Sequence, residues 1–122
     1  MTSTTTAQSG TSPRPLEGLR VVDLTVINGE LCPRLLCALG AEVIKVEPPE
    51  GSAARSWAPV RKGVSLSFAV NNAGKLGIAL DLTNSDDLAK LHELLDHADV
   101  VVTSSPEVAP GLSVQAVAEN HP

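Results

Sequence analysis

The chain has 122 residues, which leaves room for one domain and one hydrophobic core. Apolar residues make up 43% of it, yet it contains one Trp, one Phe and no Tyr, so its core must be aliphatic, as is typical of parallel strands covered by helices. A formal net charge of −5 and the scarcity of aromatic rings exclude the basic, base-stacking surfaces by which proteins bind nucleic acids.

The first 15 residues are rich in Thr, Ser and Pro and contain too little apolar surface to offset the entropy of ordering. We therefore predict a disordered tail over residues 1–15 and one α/β domain over residues 16–122. The tail lacks the apolar stretch of a secretory signal, and no run approaches the roughly 18 apolar residues that span a bilayer. We expect a cytoplasmic protein without a membrane partner.

The first predicted unit is a strand, a helix and a second strand. Residues 19–24 are short and β-branched, as expected of a strand, and residues 25–29 follow as a turn. Residues 30–39 predict a helix that ends at Gly40, and residues 41–46 predict a second strand, parallel to the first through a right-handed crossover. Four leucines lie along one side of the helix: Leu31, Leu35, Leu36 and Leu39.

A long connection over residues 47–63 separates this unit from the next. Connections longer than about 12 to 15 residues are uncommon unless they are functional or disordered. Trp57 is a candidate anchor for this one. Residues 64–70 fit a short helix or a strand equally well, and residues 71–74 predict a turn.

The second unit repeats the alternation. Residues 77–82 predict a strand, and Asn84 is a good N-cap for the helix that follows, whose leucines share one face. Residues 99–103 predict a fourth strand, residues 106–112 a loop, and residues 113–118 a short final helix. Strands that alternate with helices in this way predict an α/β fold with an open, mainly parallel sheet.

Small and polar residues follow the predicted strands, where open α/β sheets usually bind their ligands. The turn after the first strand contains neither the G-x-G-x-x-G fingerprint nor the P-loop sequence, which disfavours a nucleotide-binding Rossmann domain. Six residues at the strand ends are candidate ligand contacts, with ordinary loop residues as the competing interpretation: Ile27, Asn28, Leu80, Thr83, Ser104 and Ser105.

Patterns that would indicate a metal site or a catalytic group have simpler explanations. His92 and His97 would point roughly 140° apart on a helix, so they do not converge on a metal ion and are better explained as surface histidines. Asp23 and Asp81 could pair for acid–base chemistry, but capping of strand ends explains them better. No G-x-S-x-G elbow occurs. Residue patterns therefore assign no catalytic residue and no metal ligand.

The two cysteines, Cys32 and Cys37, lie in one predicted helix. Their spacing is neither C-x-x-C nor a disulfide framework. We expect two buried, reduced thiols, because a free cysteine packs like a small apolar side chain.

Four segments carry a family resemblance: residues 15–24 (PLEGLRVVDL), 39–49 (LGAEVIKVEPP), 71–82 (NNAGKLGIALDL) and 98–102 (ADVVV). Together and in this order they resemble the class III CoA-transferases, the CaiB/BaiF type family that includes formyl-CoA and carnitine CoA-transferases. The second segment is specific to that family, and the resemblance covers nearly all of residues 15–122.

The resemblance implies a Rossmann-like large domain, of which this chain is an incomplete N-terminal part. Family members transfer CoA between carboxylic acids through an aspartyl-CoA thioester, with an Asp as nucleophile. The resemblance places that Asp beyond residue 122, and Asp23, Asp81 and Asp99 match non-catalytic positions. It implies CoA or acyl-CoA as a substrate and no covalently bound cofactor, so we expect the isolated chain to be inactive.

The resemblance also implies roles for the six candidate contacts. Ile27 and Asn28 lie in the turn that lines the acyl-CoA site, and Leu80 matches a position beside the adenine. Thr83 stands where a basic residue can meet the nucleotide phosphates. The Ser104-Ser105 pair stands where the family commonly has Asn-Phe. These departures remove positive charge and stacking from the side that binds CoA.

Two functions fit these observations. The chain is the N-terminal, CoA-binding-type portion of a class III CoA-transferase, or it is a degenerate, non-catalytic module that acts as a structural or partner-binding subunit. The altered contact positions favour the second, and the fold-defining segments fit both. The dimers implied by the resemblance and an unfinished sheet edge predict a homodimer or association with a CoA-transferase-like chain.

Overall fold

The structure is a computed structural model that describes residues 12–122, so most of the predicted tail lies outside the described residues. Its helices are α1 (Leu31–Ala38), α2 (Leu66–Asn71), α3 (Ser85–Asp96) and α4 (Val114–Asn120), with a 3₁₀ turn at Ala53–Ser56. Its strands are β1 (Arg20–Leu24), β2 (Glu42–Glu47), β3 (Val60–Arg61), β4 (Val64–Ser65), β5 (Leu76–Ala79), β6 (Val100–Thr103), β7 (Glu107–Ala109) and β8 (Leu112–Ser113). No helix within residues 12–122 is long and apolar enough to cross a membrane.

Four parallel strands form the central sheet in the order β5-β2-β1-β6, which confirms the predicted open α/β fold. The chain leaves β1 toward β2 on one side and later returns to place β6 on the other side. Strand β1 therefore lies at the point where the strand order reverses. In open α/β sheets, ligands bind outside the carboxyl ends of the strands at such a point.

Each face of the sheet has its own apolar core, because successive side chains of a strand point to opposite faces. Val21 and Val43 are register partners and pack with Leu36 of α1. Val22 and Val46 point to the other face, where a larger cluster fills the space under α3 and α4. Its other buried members are Leu80, Leu91, Leu95, Val108 and Val117.

Two tight turns make hairpins that the sequence analysis did not predict. Residues 64–70 divide into strand β4 and helix α2, and β4 pairs with β3 across Lys62 and Gly63, both at positive φ. The predicted loop over residues 106–112 is wrong, because β7 and β8 pair across Pro110 and Gly111. Gly111 has φ +76°, a conformation that a glycine after a proline adopts readily.

Glu47 orders the long connection after β2. Its carboxylate accepts hydrogen bonds from the Ser52 backbone N–H (2.8 Å) and from the Arg55 guanidinium (Nε and Nη2, both 2.7 Å). The guanidinium also lies 4.3 Å from the centre of the Phe68 ring, within cation–π range. Trp57, the expected anchor, is exposed instead. The connection is therefore held by a charge pair at the end of β2.

The cysteine and histidine environments differ from expectation. Cys32 is exposed and Cys37 half-buried, so the prediction of two buried thiols is wrong: α1 turns Cys32 away from the sheet. His92 is half-buried, and its Nδ1 lies 3.0 Å from Nε2 of His121, a contact that joins the end of α4 to α3. Nδ1 of His121 lies 2.6 Å from Asp96 Oδ1.

The Glu47–Arg55 pair makes stability depend on pH. The hydrogen bonds from Arg55 hold the pKa of Glu47 below its ordinary value of 4.5, against an opposing effect of burial. The pair therefore stabilises the fold above about pH 4.5, and that contribution is lost as the pH falls through the lower pKa of the folded state. We expect Glu47→Gln to cost about 1 kcal/mol at pH 7, since Arg55 is half exposed to screening solvent.

Urea denaturation between pH 7 and pH 3 measures this effect. The Glu47→Gln variant should lose less stability over that range than the parent chain. Glu50→Gln, in an exposed neighbouring position, is the matched control and should follow the parent. Equal pH dependence in the parent and Glu47→Gln would contradict the assignment.

Candidate functional site

An open cleft of about 410 Å³ lies at the carboxyl edge of the sheet. The ends of β1 and β2 form one side of it, and the segment after β5 forms the other. Its apolar lining comes from Leu24, Val26, Val46, Leu80, Leu82 and Val108, together with Pro48 and Pro49. Its polar lining consists of Glu47, Glu50, Asp81 and Thr83. The cleft therefore has apolar walls, and its charged side chains are all acidic.

Two copies of the tripeptide Asp-Leu-Thr shape the cleft. In Asp23-Leu24-Thr25, Oδ1 of the Asp accepts hydrogen bonds from the Thr backbone N–H (2.9 Å) and hydroxyl (2.6 Å). In Asp81-Leu82-Thr83, the same two bonds measure 3.0 Å and 2.6 Å. An aspartate that bonds the residue two positions later closes a tight turn. The repeat therefore ends β1 and redirects the chain after β5, and both central leucines line the cleft.

The two aspartates have different surroundings. Asp23 is completely buried, and its Oδ2 lies 2.8 Å from Nζ of Lys75 and 3.8 Å from Nζ of Lys45. Asp81 is half-buried at the cleft, and its backbone N–H donates to Asp87 (2.9 Å). Bonding to the Asp81 N–H and to Lys90 holds the pKa of Asp87 below its ordinary value. Of the two turns, only the one after β1 is closed by an aspartate that belongs to a buried network of charged side chains.

That network joins three parts of the chain beneath the β1 turn. Lys75 Nζ donates to Asp23, to the backbone oxygen of Glu30 (3.0 Å) and to Asn72 Oδ1 (2.9 Å). It therefore ties β1, the start of α1 and the turn before β5 to one ammonium group. Buried charges are tolerated when they are paired and hydrogen-bonded, which these contacts provide.

A second lysine completes the charge balance. Lys45 Nζ donates to the backbone oxygen of Thr25 (3.0 Å) and lies 3.0 Å from Oε1 of Glu30, although that carboxylate oxygen lacks the alignment of a hydrogen bond. With Asp23 and Lys75, the network contains two acids and two bases, all with buried side chains. The sequence analysis missed it. Its signal was Lys45 inside the β-branched run VIKVE, since a buried lysine needs a partner.

Two of the six predicted contacts line the cleft, and four do not. Leu80 and Thr83 line the cleft. Ser104 lies on the other side of β1, where its hydroxyl accepts a hydrogen bond from the Val26 N–H (3.0 Å) and so joins the end of β6 to the β1 turn. The other three also lie outside the cleft: Ile27 is half-buried in the β1 turn, whereas Asn28 and Ser105 are exposed.

No group of three or more His, Cys, Asp or Glu side chains within residues 12–122 is arranged to hold a metal ion. Three carboxylates at the strand ends accept hydrogen bonds from neighbouring residues: Asp23, Glu47 and Asp81. Asp99, at the opposite edge, accepts a hydrogen bond from the Arg20 N–H (2.9 Å). The chemistry that the cleft itself offers is binding of an apolar or aromatic group.

A family model, curated relatives and solved structures all match this chain to the same protein family. The model of CoA-transferase family III matches residues 16–122. The chain is similar to the probable fatty acyl-CoA transferase Rv3272 of Mycobacterium tuberculosis, with 44% identity over 93 residues that cover 73% of this chain and 24% of that protein. It is also similar to the acetyl-CoA:oxalate CoA-transferase of Acetobacter aceti, with 41% identity over 104 residues that cover 83% of this chain and 26% of that protein.

The solved structures that resemble this chain include proteins of the same family as the relatives found by sequence. A CAIB/BAIF family protein from Brucella suis superposes with a TM-score of 0.78 and 32% identity, over 91% of this chain and 32% of that chain. A crystal structure of Rv3272 from M. tuberculosis gives a TM-score of 0.74 and 34% identity, over 90% and 32% of the two chains. The chain thus spans about a quarter of the length of the curated relatives it matches.

Removing one lysine from the buried network should destabilise the fold strongly. Lys75→Met leaves Asp23 buried without its closest cation, and breaking a buried pair in this way costs about 3–5 kcal/mol. Arg20→Met is the matched control, because it breaks an exposed pair with Glu42 (2.8 Å) that contributes about 1 kcal/mol or less. Chemical denaturation followed by circular dichroism measures both. Equal losses would contradict the role given to the network.

Proposed function

The chain belongs to CoA-transferase family III, and on that basis we propose that it supplies the part of a CoA-transferase unit that receives the nucleotide end of CoA or an acyl-CoA. The observation that carries the proposal is the apolar cleft between Leu24 and Leu80 at the carboxyl edge of the sheet. CoA is a substrate in this proposal and not a resident cofactor.

The size and lining of the cleft support this assignment. Sites for small molecules are usually concave, mostly apolar and about 300–1,000 Å³ in volume. The cleft, at about 410 Å³, is open at one side and therefore suits one end of a long ligand. The leucine and valine walls offer contact to an adenine ring, and the two Asp-Leu-Thr turns hold those walls in place.

The charge around the cleft limits how tightly a phosphorylated ligand binds. Glu50 and Asp81 line the cleft, and no Lys or Arg of residues 12–122 does so. Glu47 is compensated by Arg55. Thr83 occupies the position where the family resemblance leads us to expect a basic residue. We therefore expect apolar contact to provide most of the affinity and the phosphates to provide little.

We also propose that the chain alone does not transfer CoA. A carboxylate nucleophile must reach the acyl carbon of the thioester. Asp23 is completely buried and held by Thr25 and Lys75, and Asp81 is held by Thr83. Both carboxylates thus have a structural role in the turns. The family resemblance supports a nucleophile outside these 122 residues.

The alternative function is a non-catalytic, partner-binding subunit. It is favoured by one observation: the carboxylates Glu50 and Asp81 at the cleft repel the phosphates that a CoA site must accept. The two functions differ in their response to CoA. Saturable binding in the cleft supports the first, and a chain that binds no CoA supports the second.

Thr83→Lys tests the cleft assignment. A lysine at the cleft should raise the affinity for CoA roughly fivefold at low salt through attraction to the phosphates, and the gain should shrink at high salt. Ala89→Lys, on the exposed surface of α3, adds the same charge away from the cleft and should leave the affinity unchanged. Isothermal titration with CoA and acetyl-CoA provides the measurement. An equal gain in both variants would show that CoA does not occupy the cleft.

The absence of transfer by the chain alone is tested by isotope exchange. Labelled acetate is incubated with acetyl-CoA and the chain, and the label in acetyl-CoA is followed by mass spectrometry. We expect no exchange above the protein-free reaction. Exchange that grows with chain concentration would contradict the proposal, whereas the titration above would still report on CoA binding.

A further inference from the structure

Two histidines and an aspartate join the end of α4 to α3. Nδ1 of His92 lies 3.0 Å from Nε2 of His121, and Nδ1 of His121 lies 2.6 Å from Oδ1 of Asp96. The two imidazole rings are stacked, with their centres 5.2 Å apart and their planes at 27°. The His121 side chain is 10% exposed, whereas the Asp96 side chain is 59% exposed. We refer to these three side chains as the histidine clasp.

The clasp fixes the C-terminal end of α4. The start of this helix is held separately, because the Val114 N–H donates to the backbone oxygen of Pro106 (3.0 Å) and Val117 is buried in the core. A helix of seven residues is not stable without tertiary contacts. The position of the last turn of α4 therefore depends on the hydrogen bonds that His121 makes to α3.

The hydrogen bond between the two rings needs one proton and one free nitrogen. The Asp96 carboxylate accepts from the Nδ1–H of His121, so a neutral His121 has a bare Nε2 that accepts from the Nδ1–H of His92. A first added proton, on Nε2 of His92, leaves this bond intact. A second proton occupies Nε2 of His121. Two N–H groups on two positively charged rings then face each other, and the bond is lost.

The surroundings of the clasp favour the first added proton. The titratable side chains on the second half of α3 and on the segments that follow it are mostly acidic: Glu93, Asp96, His97, Asp99, Glu107 and Glu119. Asp99 lines the same cavity as His121. Lys90, the one basic residue of α3 and α4, is paired with Asp87 at 3.1 Å. One positive charge is therefore compensated, whereas a second is opposed by the first.

We propose that the histidine clasp is an acid-sensitive switch that holds α4 against α3 at neutral pH and releases the end of α4 when both histidines carry an added proton. Histidine is the side chain whose charge ordinarily changes between about pH 5 and 8. Release also reaches the cleft, because Val108 lines both the cleft and a cavity of about 230 Å³ that Val117 and His121 line. The switch itself does not depend on CoA binding.

Nuclear magnetic resonance of the whole chain between about pH 8 and pH 5 tests the switch. The imidazole nitrogen signals count the protons on each ring. The methyl signals of Val117 report the position of α4, and those of Val43, on the opposite face of the sheet, are the internal reference. We expect the Val117 signals to stay in place when the first proton binds and to move when the second proton binds.

Hydrogen exchange provides a second measurement on the same chain. The His121 N–H donates to the backbone oxygen of Val117 (2.9 Å), so it is protected while the last turn of α4 is formed. Its exchange rate, corrected for the direct effect of pH, should rise roughly tenfold when the second proton binds.

Three variants assign the effect to the clasp. His92→Gln can still form a hydrogen bond but cannot take up a proton, so α4 should stay in place throughout the pH range. His97→Gln removes a histidine that is exposed outside the clasp and should behave like the parent chain. His121→Leu removes both contacts and should show the released position of Val117 at every pH. Circular dichroism shows whether each variant is folded.

Three outcomes overturn the proposal. Val117 signals that stay in place after both rings are protonated contradict the switch. A movement that accompanies the first proton contradicts the proton count. An equal response to acid in His92→Gln and His97→Gln assigns the change to groups outside the clasp, and this comparison decides the question even if His121→Leu does not fold.

Discussion

The buried ammonium group of Lys75 holds together three parts of the chain that are distant in sequence. It reaches a buried aspartate of β1, the backbone at the start of α1 and the turn before β5, all within 3.0 Å. A buried ammonium group has lost its contacts with water, and its three hydrogen bonds replace them, so the loss of any one partner is costly. Because Lys75 holds Asp23, it also fixes the turn that follows β1, and this turn forms one wall of the cleft.

The function that we propose for the cleft depends on the difference between its two sides. The β1 side rests on the buried network, whereas the turn after β5 is closed by an aspartate at the half-exposed surface. Similar local geometry thus gives one turn closed by a buried aspartate and one turn closed by an aspartate in contact with solvent. A ligand that enters between them meets apolar walls and acidic side chains. That combination suits the uncharged parts of CoA better than its phosphates.

The four strands of the parallel sheet could be predicted from the sequence, because β-branched runs indicate strands and capping residues mark where helices begin. The family was identified from the resemblance of four segments in the right order, of which LGAEVIKVEPP is the most specific. The two hairpins were missed although Lys62-Gly63 and Pro110-Gly111 are turn dipeptides, since strands of two or three residues leave too few alternating positions for a periodic signal. The partners of Lys45 could not be predicted, because they come from distant parts of the chain.

Nuclear magnetic resonance of the methyl groups, with CoA added stepwise to the labelled chain, tests whether CoA binds at the carboxyl edge of the sheet. We expect saturable shifts in the methyl signals of Leu24, Leu80 and Val108, which form apolar walls of the cleft. Signals from Leu31 and Leu35 on α1 should remain in place. Shifts confined to α1, or no shift at saturating CoA, would contradict the placement of CoA at the carboxyl edge of the sheet.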